Sequence, residues 1–394
     1  MRRTEILQEI RIMRFEEAYG NWTGGRLSQE EAARLLGVCS RTFRRYIDRY
    51  QENGLDGLRD QRLNQVSSRK APVDEVMSLV NKYQEKHRGW NVKHFYSWYC
   101  RDGGQRSYNW VKNTLQEQNV VQKSAKRGKH RKRRERAPLP GMIIHQDGSS
   151  HEWVPGKKWD LIVTMDDATG EHYSMFFVDE EGTASSFQGI RDVIMKNGLF
   201  CSLYTDRGSH YWFTPKTGGK VDKSILTQFG RAMQQLGIEM IPAYSPEARG
   251  RSERAFKTHQ DRLVKELAFH DISSMHTANC YLKEKYMPAF NREFMENARE
   301  QGSAFVSWAG RNLDDMLCEQ YSRVVSGDNC VHFRNMHLQI PPDSYRCNYV
   351  KTRVRVHLYN DASMAVFHGP RKLAIYDQKG MLIEDCRQLA SSQQ

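Results

Sequence analysis

Three acidic residues lie where the chain could use them to bind metal ions. Asp147 closes a segment that begins with an apolar run at Met142, and Asp206 closes a segment that begins at Phe200. We therefore predict that each of these carboxylates lies at the tip of a buried strand. A loop punctuated by proline and glycine leads into a long helical pattern, in which Glu253 is predicted to be the first carboxylate. Three carboxylates can hold two hard divalent cations through oxygen, as phosphodiester chemistry requires.

The elements that must position these acids alternate in a definite order. Apolar periodicity predicts, along the chain, strands at 141–147, 158–165 and 172–178, a helix through 187–194, a strand ending at Asp206, a helix through 225–236 and a strand at 238–241. A three-stranded meander followed by alternating helices and strands is the order of ribonuclease-H-like α/β folds. The polar segment 210–223 interrupts this order, and we predict that it forms a surface insertion.

Other acids compete for the same roles. Glu247 falls in the loop predicted before the helix and is the alternative to Glu253 as the third carboxylate. Asp166 and Asp167 lie in the turn predicted between the second and third strands, and we expect them to cap it. Asp261 follows Glu253 by about two helical turns and is expected to pair with a nearby lysine or arginine.

The chain as a whole is strongly basic. Its 394 residues include 60 lysines and arginines against 47 acidic residues, which gives a formal charge of +13 and a pI of about 9.3. A chain of this length holds about two to four domains, and an excess of positive charge favours binding to polyanions such as DNA. The alternative is a basic protein with no nucleic-acid partner, and the clustering of the charges argues against it.

The cysteines give no sign of disulfides or of a zinc motif. All eight lie far apart, and none belongs to a Cys-x-x-Cys pair, so we predict reduced thiols and no zinc site. The sequence also contains no apolar stretch of membrane-spanning length and no apolar signal segment at its start. We therefore expect a cytoplasmic protein without a membrane partner.

A helix-turn-helix pattern occupies the first part of the chain. Ser28 followed by Glu31 predicts a capping box, Gly37 predicts the end of that helix, and Ser40 is predicted to cap the next one. The second helix would expose three arginines, Arg41, Arg44 and Arg45. Such a helix enters the major groove of DNA, and the alternative is a plain helical hairpin with solvated arginines.

Two further basic segments follow. A second helical unit ends in a helix that begins near Ser107 and offers Lys112 as a DNA contact. The next stretch is too polar to fold alone and is predicted to bind DNA phosphates, or else to be a solvated linker. Its candidate contacts are Lys126, Arg127, Lys129, Arg131, Lys132, Arg133 and Arg134.

The C-terminal part changes from a helical to a strand pattern. Residues 272–325 are predicted to be mostly helical, and 350–358 alternate apolar residues with basic ones. The basic members of that strand are Lys351, Arg353 and Arg355. We predict a small antiparallel β-barrel with its basic face on DNA, the alternative being a charged edge strand that prevents aggregation.

The motifs around the three acids resemble those of a known family. Residues 245–253 align without gaps with the segment around the catalytic glutamate of retroviral integrases. Together with 145–149, 204–208 and 260–263, this segment resembles bacterial insertion-sequence transposases of the DDE, integrase-core class, most closely the ISNCY type. The resemblance is strongest over residues 141–300.

The resemblance implies a division into domains and a fold class. The fold class is multidomain, with N-terminal all-α helix-turn-helix modules, a central α/β ribonuclease-H-like (integrase) core and a small C-terminal antiparallel β-barrel. The implied domains are a helix-turn-helix domain (1–66), a second helical DNA-binding domain (67–122), a basic linker (123–140), the catalytic core (141–300), and a helical connector with the barrel (301–394).

The resemblance also implies a mechanism. Asp147, Asp206 and Glu253 would bind two Mg²⁺ ions, for which Mn²⁺ can substitute. Lys257 would contact the DNA end, and Arg251 would bind DNA. The protein would cleave at terminal inverted repeats and join the 3′ ends to target DNA. It would act as a homo-oligomer, a dimer or higher, at the bacterial nucleoid. Two alternatives remain: a transposase-derived DNA-binding regulator and a structure-selective nuclease such as a junction resolvase.

Overall fold

The computed structural model describes most of the chain, in two compact units. The described residues are 3–60, 71–123, 135–216, 219–244, 246–310, 312–342 and 345–385. The units are residues 1–82 and 83–394. The basic residues predicted to contact DNA between Lys126 and Arg134 lie outside the described residues. In the described part, no helix combines the length and the apolar character that a bilayer crossing requires.

Three helices of the first unit pack together. They are α1 (Arg3–Thr23), α2 (Gln29–Leu36) and α3 (Ser40–Asn53), followed by a 3-10 turn at Gly54–Leu58. Their apolar faces meet in one small core made by Phe15, Ala18, Ala32, Ala33, Phe43 and Ile47. Because Phe43 and Ile47 lie one turn apart on α3, the opposite face of that helix is left to solvent.

The ends of α2 follow the predicted pattern, whereas the start of α3 does not. The Ser28 hydroxyl accepts a hydrogen bond from the Glu31 amide, the Glu31 carboxylate accepts one from the Ser28 amide, and Gly37 ends the helix with φ of 74°. The capping box and the glycine stop are therefore confirmed. At α3 the cap is Cys39, and Ser40 is already inside the helix, so the prediction that Ser40 caps it is wrong.

This difference gives a matched pair of variants. Ser28→Ala removes a cap hydrogen bond and is expected to lower the free energy of unfolding by about 1 kcal/mol. Ser40→Ala removes a similar hydroxyl that caps nothing and is expected to change it by less than about 0.5 kcal/mol. Urea unfolding followed by far-UV circular dichroism measures both values, and equal losses in the two variants would contradict the assignment of the cap.

A five-stranded sheet organises the second unit. Its strands are β1 (Ile143–Val154), β2 (Lys157–Asp166), β3 (His172–Val178), β4 (Ser202–Thr205) and β5 (Glu239–Pro242). They lie in the order β3-β2-β1-β4-β5, antiparallel from β3 to β1 and parallel from β1 to β5. The predicted meander, with helices and strands alternating after it, is found.

The first strand is longer than predicted, because β1 pairs with β2 as far as Val154 opposite Lys157. Asp147 therefore lies within a strand, and its predicted place at a strand tip is wrong. Asp206 follows β4 directly, as predicted.

Helices cover both faces of the sheet. They are α7 (Thr183–Asn197), α8 (Gln228–Leu236), α9 (Pro246–Phe269), α10 (Met275–Tyr281) and α11 (Met287–Phe294), with a π-helical turn at Leu282–Tyr286 between the last two. α7 and α8 share an apolar core with Ile144 of β1, and α9 to α11 share a second core with Trp153 of β1. Alternate residues of β1 thus face α7 on one side and α9 on the other.

Two predictions about the segments next to these helices are wrong. α9 begins at Pro246, so Glu247 lies inside the helix and Glu253 is not its first carboxylate. Proline is favoured in the first helical turn because its missing N–H has no partner there. The predicted surface insertion 210–223 starts inside the core, since Tyr211 is 1% and Trp212 is 7% exposed.

The connection after α11 is not helical, contrary to prediction. From residue 295 to 310 it forms a strap without a helix, and several of its backbone hydrogen bonds go to distant loops. The Glu296 amide donates to the Thr169 carbonyl and the Ala304 amide to the Pro140 carbonyl. In a helix these amides would donate to carbonyls of the same helix, whereas in the strap they donate to carbonyls of the core.

A second sheet ends the described chain. Its strands are β6 (Glu319–Val324), β9 (Arg353–Leu358), β10 (Met364–His368), β11 (Arg371–Tyr376) and β12 (Leu382–Asp385). They lie in the order β12-β11-β10-β9-β6. A hairpin of β7 (Cys330–Phe333) and β8 (Met336–Gln339) shares the same apolar core.

The predicted alternation of β9 is found over residues 353–356 but not at His357, which is buried although it falls on the basic face of the pattern. Val354 and Val356 are buried, while Arg353 and Arg355 are exposed. Lys351 precedes the strand, in a turn with φ of 63°.

Three helices complete the list: α4 (Val73–Lys86), α5 (Val92–Arg101) and α6 (Tyr108–Glu117). α5 packs on α9 through polar contacts. Asn91, its N-cap, donates to Asp261, and His94 hydrogen-bonds Glu266 with 2.8 Å between Nε2 and Oε1. Asp261 also pairs with Lys265 at 2.6 Å, so its predicted partnership with a basic residue is confirmed.

Candidate active site

The parallel pairing of β1 and β4 brings two of the predicted acids to the same height along the strands of the sheet. His145 is opposite Tyr204 in the register, and continuing it by two residues sets Asp147 beside Asp206. Neighbouring strands lie about 4.8 Å apart. The two aspartates are therefore neighbours across the strands, although 58 residues of sequence separate them.

Each aspartate is held by the backbone next to it. Asp147 is 7% exposed, and its Oδ1 accepts a hydrogen bond of 3.1 Å from the Gly148 amide. Asp206 is half-buried, and its Oδ1 accepts one of 2.8 Å from the Gly208 amide. In both cases a glycine amide donates to the carboxylate and helps to orient it.

Tyr211 lies under this pair. Burial raises the pKa of its phenol well above the ordinary value, and the negative charges of Glu181, Asp206 and Asp147 raise it further. The phenol therefore stays protonated and donates to the Gln146 Oε1 at 3.3 Å. An uncharged hydroxyl below the acids adds no negative charge to a place where three carboxylates already lie.

Glu181 is a carboxylate at this place that the sequence analysis missed. Its Oε1 lies 3.5 Å from the Tyr211 hydroxyl and 3.5 Å from His210 Nε2. A Cβ added to Gly148 would collide with Glu181 Oε2, so the carboxylate lies directly against the backbone next to Asp147. Glu181 follows two other acids in a loop, and nothing in its spacing distinguishes it from them.

Glu253 approaches the same side of the sheet on α9. Two contacts anchor α9 to β1. In the first, Arg251 is ion-paired with Asp167, whose carboxylate accepts a hydrogen bond from His145 of β1. In the second, Gln260 Nε2 donates to Ser149 Oγ at 3.1 Å. The helix rises about 13.5 Å between these two anchors, and β1 advances about 13 Å over the matching four residues. The Glu253 turn therefore runs beside the half of β1 that holds Asp147.

The three acids are not gathered into one compact set. Glu253 is exposed. In the portion of the chain that the structure describes, the carboxylate oxygens of Asp147, Asp206 and Glu253 do not all lie within 4.8 Å of one another. The structure thus brings the two aspartates together and sets the glutamate on a neighbouring helix.

Asp167 joins three segments beside the site. Its carboxylate accepts hydrogen bonds from His145 Nε2 at 2.6 Å, from the Ala137 amide at 2.8 Å and from Arg251. Burial alone would raise the pKa of this carboxyl, but the bonds from His145 and Arg251 outweigh burial and hold the pKa well below the usual value. The prediction that Asp167 caps its turn is therefore wrong.

Asp166 does cap the turn, as predicted, because its Oδ1 accepts from the Thr169 amide at 2.8 Å.

The predicted DNA contacts differ in their exposure. Arg251 is 14% exposed because of its ion pair with Asp167, and Lys112 is half-buried. The exposed members of the set in the described part of the chain are Arg41, Arg44, Arg45, Lys257, Lys351, Arg353 and Arg355. Lys257 lies one helical turn after Glu253 and thus on the same face of α9.

Comparisons with known proteins identify a helix-turn-helix domain and similar transposases. A family model described as a helix-turn-helix domain matches residues 22–63. A putative transposase from Sinorhizobium fredii is 27% identical over 352 residues, covering 87% of this chain and 75% of that protein. The transposase of insertion sequence IS1202 from Streptococcus pneumoniae is 25% identical over 350 residues, covering 79% and 74%. The predicted resemblance to insertion-sequence transposases is confirmed.

Solved structures give more distant similarities. The intasome of simian T-cell lymphotropic virus matches with a TM-score of 0.33 and 13% identity, over 78% of this chain and 98% of that one. The magnesium-bound catalytic core domain of HTLV-2 integrase matches with a TM-score of 0.29 and 17% identity, over 37% and 87%. Similarities of this size assign no role to any residue.

Proposed function

We propose that this chain is a DNA transposase that binds the terminal inverted repeats of its element, cleaves at the element ends and joins the 3′ ends to target DNA. The proposal is supported above all by Asp147 on β1 and Asp206 directly after the parallel strand β4, with Glu253 on the helix packed against the same side of the sheet. The two transposases similar to this chain supply the substrate class.

The topology supports a ribonuclease-H-like core. Three antiparallel strands followed by two parallel ones, with helices on both faces, is the arrangement that such a core requires. In the C-terminal part, the five-stranded sheet and the β7–β8 hairpin share one apolar core, which supports a small barrel-like domain.

The donor atoms fit a hard divalent cation. Asp147, Asp206 and Glu253 offer only carboxylate oxygens, the ligands that Mg²⁺ prefers, and Mn²⁺ accepts the same set. These three residues would hold two such ions, which when bound stabilise charge on the reacting phosphate and activate the attacking oxygen. The Gly148 and Gly208 amides keep the two aspartates oriented for this role.

The basic residues would position the DNA. Phosphate contacts fix register, whereas side chains on a helix in the major groove read sequence. We assign sequence reading to the exposed face of α3, contact with the DNA end to Lys257, and phosphate binding to Arg353 and Arg355 on β9. Joining two ends to one target requires at least two active sites, so we propose a homo-oligomer that works on the bacterial chromosome.

The assignment of α3 gives a direct prediction. Arg44→Ala is expected to weaken binding to terminal-repeat DNA about 5- to 150-fold, because a base-reading arginine contributes about 1–3 kcal/mol. Binding to unrelated DNA should change little. Fluorescence anisotropy with labelled repeat DNA, with and without unlabelled competitor, measures both affinities.

Arg14→Ala is the control for that measurement. Arg14 is also exposed, but it lies on α1 of the same unit, so its removal subtracts the same charge without touching the reading helix. An equal loss of affinity in the two variants would mean that α3 contributes charge alone.

One experiment separates the proposed activity from the other candidates. Purified protein is incubated with Mg²⁺, a linear DNA that ends in the terminal repeat, and a supercoiled plasmid. A transposase joins the 3′ end covalently to the plasmid, a regulator binds the repeat without cutting, and a structure-selective nuclease cuts without joining. The last two results would each overturn the proposal.

A further inference from the structure

The β7–β8 hairpin carries a group of metal-binding side chains far from the carboxylates of the core in sequence. Asp328, His332 and His337 each offer one ligand atom, and these atoms all lie within 4.8 Å of one another. All three residues are exposed. Neither the proposed transposase chemistry nor the predicted DNA contacts use any of them.

The hairpin geometry brings the two histidines together. His332 and His337 are directly opposite in the antiparallel register, and their ring centroids are 4.3 Å apart. Only Arg334 and Asn335 separate β7 from β8 as a two-residue loop outside the strands, and both have positive φ, 48° and 63°. Such a tight turn fixes the register of the two strands, and with it the pairing of the imidazoles.

The carboxylate of Asp328 is also held in place. The Cys330 amide donates to its Oδ1 at 3.1 Å, which orients the carboxylate. Gln339, from the opposite strand, donates to the Asp328 carbonyl at 3.2 Å. Asp328 is therefore hydrogen-bonded to residues of both strands of the hairpin.

The face opposite the histidines anchors the hairpin. Val331, Phe333 and Leu338 are buried in the apolar core of the C-terminal domain. Because the backbone is fixed by that core, the histidines can reorient only by side-chain rotation. The donors of a tetrahedral zinc site lie roughly 3.3 Å apart, so closing the present spacing requires small rotamer changes and no movement of the strands.

We infer that Asp328, His332 and His337 form a binding site for a borderline divalent cation, Zn²⁺ in particular. Two imidazoles and one carboxylate are a donor set that suits zinc and not magnesium. Three protein ligands leave the fourth position for water. Cys330 is not a ligand, because its thiol is buried and donates to Gln339 Oε1 at 3.0 Å. The expectation from cysteine spacing that no zinc binds overlooked this pair of histidines.

Zinc titration of the untagged full-length protein tests the site. Excess Mg²⁺ is present throughout, so that it competes with zinc for the carboxylates of the core. Calorimetry is expected to show one Zn²⁺ per chain bound at this site. His332→Asn, His337→Asn and Asp328→Asn should each weaken it by at least the 10- to 100-fold that loss of an outer-shell partner costs at a metal site.

The control is His276→Asn, an exposed histidine on α10 that belongs to no such group, and it should bind zinc like the parent. Zinc should also raise the thermal unfolding midpoint of the parent and the control, but not that of the three variants. Because the three side chains are exposed, the variants should fold normally. Absence of zinc binding in the parent, or unchanged binding in the three variants, would overturn the inference.

Discussion

Glu253→Gln is expected to abolish DNA cleavage and strand transfer, by a factor of about 1,000 or more, while binding to the terminal repeat stays within about twofold. The variant keeps the shape of the side chain and removes the negative charge that a divalent cation needs. Loss of one metal ligand removes several kcal/mol of transition-state stabilisation, and each 1.36 kcal/mol is tenfold in rate. Asp147→Asn and Asp206→Asn should behave in the same way.

Glu247→Gln is the matched control on the same helix. Glu247 lies six residues earlier in α9, and the substitution removes the same charge from the same kind of element. We expect this variant to retain activity within a few fold. If Glu247→Gln is inactive and Glu253→Gln is active, the third carboxylate has been assigned to the wrong residue, which is the alternative that the sequence left open.

Glu266→Gln is expected to destabilise the second unit by about 3 kcal/mol. Glu266 is buried and accepts hydrogen bonds from His94, from Arg101 at 3.2 Å and from Tyr281. A glutamine has only one oxygen for these donors and turns an N–H₂ group toward the others. Breaking a buried charged network by removing one partner costs about 3–5 kcal/mol. Urea unfolding followed by tryptophan fluorescence measures the loss, since Trp90 stacks on His94 with 3.9 Å between the rings.

The pH dependence of that loss follows from the pKa of Glu266. Burial would raise it, but the hydrogen bonds from His94 and Tyr281 outweigh burial and lower it from 4.5 to about 2. A carboxyl with a lowered pKa contributes stability that is fully present above pH 4.5 and is lost as pH falls toward 2. The difference between the parent and Glu266→Gln should therefore be largest near neutral pH and shrink below pH 4.5.

Glu284→Gln controls for the loss of one negative charge, because Glu284 is exposed in the π-helical turn after α10. Its free energy of unfolding should match that of the parent within about 0.5 kcal/mol. A loss of less than 1 kcal/mol in Glu266→Gln, or a difference from the parent that is the same at pH 7 and pH 3, would contradict the role given to the network.

Local patterns predicted the order of the core well. The strand over 172–178 was found at those residues, and the helix predicted through 225–236 was found at Gln228–Leu236, ended by Gly237 with φ of 72°. These features depend on alternation and on glycine, both of which are local. The meander and the parallel strands follow from such signals, and so does the strand-end position of Asp206.

Features decided by distant partners were not predicted. The pattern of the strap at 295–310 predicts a helix, but several of its amides donate to carbonyls in loops around Thr169 and Pro140. Tyr211 lies in a polar segment, yet it is buried below the acids. Glu181 reaches the site only because the chain folds back against Gly148. None of these contacts produces a periodic pattern in the sequence.

Asp167 determines where the chain enters the core. Its carboxylate binds the Ala137 amide and Arg251 at the same time, so residue 137 of the predicted basic linker and the first turns of α9 are held by one side chain. The same carboxylate accepts from His145 of β1, so that the linker, the sheet and α9 meet at one residue. If DNA binding displaces the linker at residue 137, we therefore expect the displacement to be transmitted to β1 and α9 together.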